Sequence, residues 1–428
     1  MIQEIKIKNF LSFKDEVKFS FEASNDKFAE DTQVVKVNDN TRLLRFAIVY
    51  GYNASGKSNL LRAFEFLSDF WFAKRMDIDN ETGDIPFKLD QNSKKEHSFF
   101  DLIFYVEKTK YWYQLELDKK SVYLEKLSYY KSTQPTMLFE RKLENGQSVI
   151  AFSPALKVSN IVKDSITVTC LKNMSFFAAR NQVNASIPLI DVAKDWMKNN
   201  MMQVINPYSN LTHYAQKKLS EDNDLAGYIL KFLSEADFNI TNIDTDMVEK
   251  PISNRLRNLL LQADSLPDKE KDRLKNEQSI KQLQTNFEHT VENDNGMETY
   301  HLSSDNEEES RGTLRTFGIE AALYNALKNN SFLAIDEIET SLHPKLLEKI
   351  LFEYLSAVDS ESQILVTTHN DGLLDLVDDL IRKDSVWFTE KKKSGVTDLY
   401  KLTDFRGVNR LSSIREAYRN KRFGATMK

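Results

Sequence analysis

The sequence predicts an α/β fold, a mostly parallel sheet whose two halves are separated by an inserted arm. Three observations support this. First, Gly51-Tyr52-Asn53-Ala54-Ser55-Gly56-Lys57-Ser58 reads G-x-x-x-x-G-K-[ST] and lies between an apolar strand at 43–50 and an amphipathic helix. Leu60, Phe64, Leu67 and Trp71 share one face of that helix. Second, residues 311–428 return to apolar strands alternating with helical patterns. Third, residues 206–300 are polar, rich in Asn, Asp and Lys, and show no sustained heptads. They read as a mainly helical arm with solvated faces.

The elements follow in order. Ile5 and Ile7 alternate with Lys6 and Lys8, and Val17, Phe19 and Phe21 with Lys18, Ser20 and Glu22, so 2–22 reads as two strands. Three aromatic runs at 99–106, 111–117 and 121–127 are separated by short charged connectors, which predicts antiparallel hairpins. Their aromatics alternate as core positions do, which favours a buried sheet face over a base-stacking platform. A helix is expected at 190–202. The run Asp268-Lys269-Glu270-Lys271-Asp272-Arg273 marks a solvated helix in the arm, and the acidic stretch 292–309 a loop with a strand near Tyr300. Helices follow at 314–327, 346–354 and 371–381, with strands at 331–335, 364–368, 386–388 and 398–402.

Composition narrows the classes. The 428 residues are 41% hydrophobic and 29% charged, an ordinary globular balance. A formal net charge of −6 argues against nonspecific coating of DNA. Cys170 is the single cysteine, which rules out an intrachain disulfide and a Cys-ligated cluster. No apolar run reaches transmembrane length and no signal-peptide core opens the chain, so a cytoplasmic protein without a membrane partner is expected.

The chemistry follows from the spelling. Gly51 and Gly56 let the backbone bend so that N–H groups, including those of Asn53, Ala54, Ser55 and Asn59, converge on an anion at a helix N-terminus. Lys57 places a cation near the β- and γ-phosphates, and Ser58 a hydroxyl for Mg²⁺. Ser331-Phe332-Leu333-Ala334-Ile335-Asp336-Glu337 is an apolar strand ending in two acids, where an open α/β sheet binds ligand. Asp336 is the candidate Mg²⁺ ligand and Glu337 the candidate general base. Ile364-Leu365-Val366-Thr367-Thr368-His369 delivers a histidine to a strand end, where it can donate to a γ-phosphate oxygen. His343, before Pro344, reads as a cap or surface residue.

The order GYNASGKS, FLAIDE, IETSLHP, ILVTTH resembles the ABC-type ATPases of the SMC, RecF and OLD group, whose Walker A, Walker B, D-loop and switch-histidine motifs these match. The resemblance implies an ABC-type P-loop ATPase head with an antiparallel β subdomain and a mainly helical arm. It divides the chain into 1–181, 182–300 and 301–428: first half of the head, arm, and second half. It implies ATP with Mg²⁺, and two heads closed face to face over two nucleotides. Glu309-Ser310-Arg311-Gly312-Thr313 fits the group's signature, whose Ser310 and Gly312 cap the γ-phosphate held by the other copy. Gln114 and Gln182 are the candidates for the Q-loop glutamine, and Ile7-Lys8-Asn9-Phe10-Leu11-Ser12-Phe13 looks like the first strand and turn beside the base. No N-K-x-D guanine motif is present.

More narrowly, NFLSF, ESRGT and the tail 384–425 resemble bacterial anti-phage defence ATPases of the RloA, AriA and PtuA kind. The related OLD proteins carry a Toprim nuclease after the ATPase. Here about sixty residues follow His369, fewer than such a domain needs, so the damaging activity is expected on a separate effector, a nuclease. The expectation is a sensor ATPase that is at least a homodimer and controls that effector. The alternative is a DNA repair or chromosome maintenance ATPase of the RecF or SMC kind, with nucleic acid as partner. Arg415, Arg419, Lys421 and Arg422 are its candidate contacts, although they read first as a solvated helix face. A transporter motor would need LSGGQ, which is absent.

Overall fold

The computed structural model describes residues 1–236, 239–262, 271–272, 274–275, 279–294, 296–305 and 308–426. Two compact units are present. The first comprises residues 1–207, 325–340 and 347–428, and the second 208–324 and 341–346.

The first unit holds a five-stranded sheet in the order Phe332–Ile335, Gln363–Thr368, Phe46–Tyr50, Val386–Lys391, Thr397–Lys401. The first four strands pair in parallel and the last pairs antiparallel to its neighbour. Every residue of Phe46–Tyr50 and of Gln363–Thr368 is buried, which is why these strands read as continuous apolar runs rather than alternating ones. Met201 and Ile205 extend the free edge through parallel bridges to Phe332 and Ile335.

A second, seven-stranded antiparallel sheet contains Ile2–Lys8, Val17–Ser20 and the strands from Ser98–Val106 to Gln147–Phe152. Its inward positions alternate as the sequence predicts, and Phe100, Phe104, Tyr111 and Tyr113 are at most 1% exposed. The helix Lys57–Phe72 packs on both sheets. Phe64 lies 4.9 Å from Phe332 of the parallel sheet, and Trp71 lies 4.8 Å from Tyr113 of the antiparallel one. One core therefore fixes the helix, and with it the end of the phosphate loop. Beside it, Arg141 and Glu125 pair at 3.2 Å with no side-chain exposure.

Two local readings change. The strand expected over 43–50 is broken at Arg45 into Thr41–Leu44 and Phe46–Tyr50. The Arg45 guanidinium is buried and donates to the carbonyls of Thr32 and Ala357, so the backbone turns out of one sheet into another there. The helix expected over 371–381 is a 3₁₀ turn, Asp371–Leu376. It stops where the Leu376 carbonyl accepts from Asp379, Leu380 and Ile381 together.

The second unit contains the helices Leu211–Glu221, Asn223–Glu235 and Asn254–Gln262 and the start of the helix Arg311–Asn329, whose expected span was 314–327. To them it adds a three-stranded antiparallel sheet in the order Ile240–Pro251, Ser279–Asn293, Gly296–Ser303. The strand expected near Tyr300 is present as Gly296–Ser303, but the mainly helical expectation missed its two partners, because they are largely polar and leave only Ile240, Ile243, Phe287 and a few neighbours buried. Phe287 meets Phe317 edge-on at 5.2 Å. Of the charged run 268–273, only Lys271 and Asp272 lie among the described residues. Among those residues no cluster of His, Cys, Asp and Glu suits a metal ion, and no helix is long and apolar enough to cross a membrane.

Candidate nucleotide-binding site

Strand register assembles the site. Tyr50 is level with Thr368 and with Phe388, and Ile335 with Val366, so three of the parallel strands end on one edge of the sheet and Val386–Lys391 runs three residues past it. That edge carries Gly51 after Tyr50, Asp336 and Glu337 after Ile335, and His369 after Thr368. Residues separated by more than three hundred positions thereby meet where an α/β sheet takes ligand.

The loop is tightly enclosed. A Cβ on Gly51 would lie 2.5 Å from both Ser55 Oγ and Thr389 Oγ1, and one on Gly56 2.4 Å from Thr397 Oγ1. Gly56 also sits at φ +112°, a conformation L residues avoid. Ser55 Oγ and Thr389 Oγ1 are hydrogen-bonded at 2.7 Å. Thr397 Oγ1 lies 2.8 Å from both the Ser55 carbonyl oxygen and Ser12 Oγ, and Asn59 donates to Ser12 Oγ at 2.7 Å. A shell of hydroxyls from three distant stretches thus holds the loop. Asn53 and Ala54 are exposed at its tip, with Ala54 at φ +63°.

Lys57 is 5% exposed, and its ammonium donates to the Gly51 carbonyl at 2.8 Å. Burial lowers its pKa, against the opposing pull of Glu337, Glu339 and Asp336. An anion on the loop would relieve that desolvated charge, so the residues fit a bound phosphate. Ser58 is half-buried at the first turn of the helix. The Asp336 carboxylate accepts from Thr367 Oγ1 at 2.5 Å through Oδ1. A hydroxyl and a carboxylate are the hard oxygen donors Mg²⁺ takes alongside nucleotide phosphates. Glu337 stands at φ +47°, and its backbone N–H donates to Thr367 Oγ1 at 2.9 Å.

His369 is exposed, and its Nδ1 lies 2.8 Å from Glu339 Oε1. In the second unit, Ser310 Oγ accepts from the Thr313 N–H at 3.0 Å and so caps the helix Arg311–Asn329. Glu309 is held by His289 at 2.8 Å, and a Cβ on Gly312 would meet the Ser341 carbonyl at 3.3 Å.

Other expected residues go elsewhere. Gln114 faces Asp101 and Lys126 in the antiparallel sheet, and Gln182 turns to Ala178 and Met174, so neither is placed by its contacts at the phosphate loop. Arg415 and Arg419 both pair with Asp371, and Arg415 also with Asp375 at 2.6 Å. Of the cluster, these two are tied to acids rather than free for phosphates. The sequence reading missed Thr367, Thr389, Thr397 and Glu339. Their only sequence signal is position, one or two residues from a strand end or motif.

No curated protein matches the chain. Among solved structures, an SMC head domain from Thermotoga maritima is similar at 11% identity, with 94% of this chain and 98% of that one covered and a TM-score of 0.41. An Smc head domain with an extended coiled coil bound to the C-terminal domain of ScpA, derived from Pyrococcus furiosus, is similar at 10% identity, with 99% and 98% covered and a TM-score of 0.40. A family model described as "AAA domain, putative AbiEii toxin, Type IV TA system" matches residues 46–155 and 197–375, more than half of the chain. That span takes in the phosphate loop, the acid-ended strand and His369, and the chain belongs to this family of AAA-domain proteins.

Proposed function

We propose that the chain binds ATP with Mg²⁺, hydrolyses it, and uses that cycle to regulate a separate effector protein in anti-phage defence. The observation that carries the nucleotide part is the register that brings Gly51, Asp336, Glu337 and His369 to one sheet edge. In this reading Lys57 leaves the Gly51 carbonyl for the β- and γ-phosphates, and Ser58 and Asp336 hold Mg²⁺. Glu337 orients the attacking water. The water oxygen bonds to the γ-phosphorus, and the bond to the β–γ bridging oxygen breaks. ADP leaves with the electron pair, and the water's proton passes through Glu337 to solvent. Ser310 and Gly312 of one copy cover the γ-phosphate held by another, so closure depends on nucleotide.

The family's description, which names a putative toxin and a toxin–antitoxin system, supports the effector part. So do the net charge of −6 and the commitment of Arg415 and Arg419 to acids, both of which disfavour a nucleic-acid groove. The test is Glu337→Gln, tagged and purified from the native host with ATP. A stoichiometric protein partner with nuclease or toxin features is expected. Nucleic acid retained through a salt wash, without a protein partner, would replace the defence reading with a DNA maintenance one.

A further inference from the structure

The segment after His369 is tied to a helix late in the chain. That helix, Ile414–Arg419, is capped by Ser413 and sends two arginines across to the 3₁₀ turn Asp371–Leu376. Arg419 Nε and Nη2 donate to Asp371 Oδ2 and Oδ1 at 2.5 and 3.2 Å, a two-pronged grip. Arg415 Nε donates to Asp371 Oδ1 at 3.2 Å, and its Nη1 to Asp375 Oδ2 at 2.6 Å. The bond from Arg419 is the largest influence lowering the Asp371 pKa, so the carboxylate keeps its charge. An exposed ion pair alone is worth little. Here two guanidiniums converge on one carboxylate that is 24% exposed, and one of them holds both oxygens in the planar fork that fixes position best. The same helix reaches the strand that enters the phosphate loop. Tyr418 is 9% exposed, its ring stacks on Phe388 at 5.6 Å and it lies 6.2 Å from Tyr50, the residue before Gly51.

We infer that Arg415, Arg419 and Asp371 are positioning residues that brace the end of the His369 strand against the strand entering the phosphate loop. Asp371 stands two residues past His369, so a carboxylate fixed there leaves the histidine's main chain little room to move. The chain between them has little slack. The Asn370 N–H donates to Thr368 Oγ1 at 3.0 Å, and Asn370 Oδ1 accepts from the Gly372 N–H at 2.9 Å. The helix thus supports two strand ends at once, Thr368 through its arginines and Tyr50 through Tyr418, and those ends are level in the sheet. Such support acts on rate more than its own energy suggests, because a misplacement of about 1 Å costs about a hundredfold. Arg415 and Arg419, which the sequence offers as nucleic-acid contacts, serve the site by holding its histidine in place. The inference rests on the proposed hydrolysis for its kinetic consequence and on geometry alone for the brace.

The test uses the full chain with Asp371→Asn, which keeps the shape and loses the charge, and with Arg415→Gln and Arg419→Gln combined. Each is read with His369 present and with His369→Ala. With His369 present, each should lower kcat for ATP about tenfold and move KM less than about threefold. With His369 already alanine, neither should lower kcat further. An equal loss in both backgrounds, or no loss in either, overturns the inference. Asp371→Glu, which keeps the carboxylate, should recover part of the rate. Hydrogen exchange gives a readout that needs no turnover. The amides of residues 369–376 should exchange at least about tenfold faster in Asp371→Asn than in the parent. A protein that loosens in this way but has no ATPase activity overturns the hydrolysis reading and leaves the brace standing. An active protein whose segment does not loosen overturns the brace alone.

Discussion

Thr367 Oγ1 lies 2.5 Å from Asp336 Oδ1 and accepts the backbone N–H of Glu337 at 2.9 Å. One hydroxyl on a fully buried strand thereby sets the position of both acids, the proposed metal ligand and the proposed base. Thr367→Val keeps the shape and removes both bonds. It should slow hydrolysis at least as much as it weakens nucleotide binding, and should cost about 1–3 kcal/mol of stability, because the Glu337 N–H loses its acceptor. Thr367→Ser should restore most of both. Steady-state kinetics and denaturant midpoints on the two variants check this. A valine variant with unchanged kcat removes the idea that Thr367 orients the acids.

Gly56→Ala tests the cradle. The new methyl would meet Thr397 Oγ1 at 2.4 Å in a backbone at φ +112°, so the loop must open. Strain of this kind costs about 1–3 kcal/mol, and ATP affinity should fall at least about tenfold for each 1.4 kcal/mol that reaches the binding state. Fluorescence titration with a labelled nucleotide measures it. Pairing the change with Thr397→Ser, which removes the methyl that stands 2.7 Å from the added carbon, should recover only part of the loss.

Asp84 supplies a pH dependence away from the site. It is 2% exposed, and burial pushes its pKa up to about 7, against weaker pulls from Ser98 and the Ile85 backbone. The folded chain therefore keeps this proton up to about pH 7, whereas the unfolded chain loses it near pH 4. Between those values the folded state binds more protons, so stability falls as pH rises through that window. Asp84→Asn should flatten this slope and be the more stable protein at pH 8, by an upper limit on the order of 4 kcal/mol. Urea midpoints at pH 5 and pH 8 decide it. Parallel shifts at both pH values would assign the effect to packing instead.

Arg141 and Glu125 set the rigidity of the antiparallel sheet. The guanidinium donates to Glu125, to Ser148 and to the carbonyls of Leu171, Lys172 and Met174, and Glu125 also accepts from Tyr113 and from the Phe176 N–H. Arg141→Ala strands a buried carboxylate and should cost about 3–5 kcal/mol. Replacing both partners together, Arg141→Met with Glu125→Gln, should cost less than the sum of the single changes. Chemical denaturation of the four proteins reads the coupling, and additive losses would mean that the pair does not act as a unit.

Much of the first unit was legible because its signals are local. A strand buried on both faces is an apolar run, and the spelling of the loop from Gly51 to Ser58 is dictated by the anion it serves. The shell around that loop was not legible. Ser12 and Thr397 are 385 residues apart, and neither residue type in its own stretch announces a partner so distant. Arg45 was read inside a strand because one charged residue does not outweigh seven apolar neighbours, yet its buried guanidinium redirects the chain. In the second unit only the strand near Tyr300 was read, because the strands Ile240–Pro251 and Ser279–Asn293 are polar and bury few side chains, leaving little periodicity. Register supplied the remainder, since it decides which strand ends are level.

The hydroxyl shell has a consequence for synthesis. Ser12, Ser55 and Thr397 leave the ribosome at very different times, and the contact from Ser12 to Thr397 spans 385 residues. Pairings of this range form late, after the loops between them have been closed. A nascent chain that has displayed the phosphate loop still lacks Asp336, His369 and the Thr389 and Thr397 clamps, so it cannot yet enclose a nucleotide. The enclosure is complete only once residue 397 has emerged, and messages cut short before it should yield products that do not bind ATP.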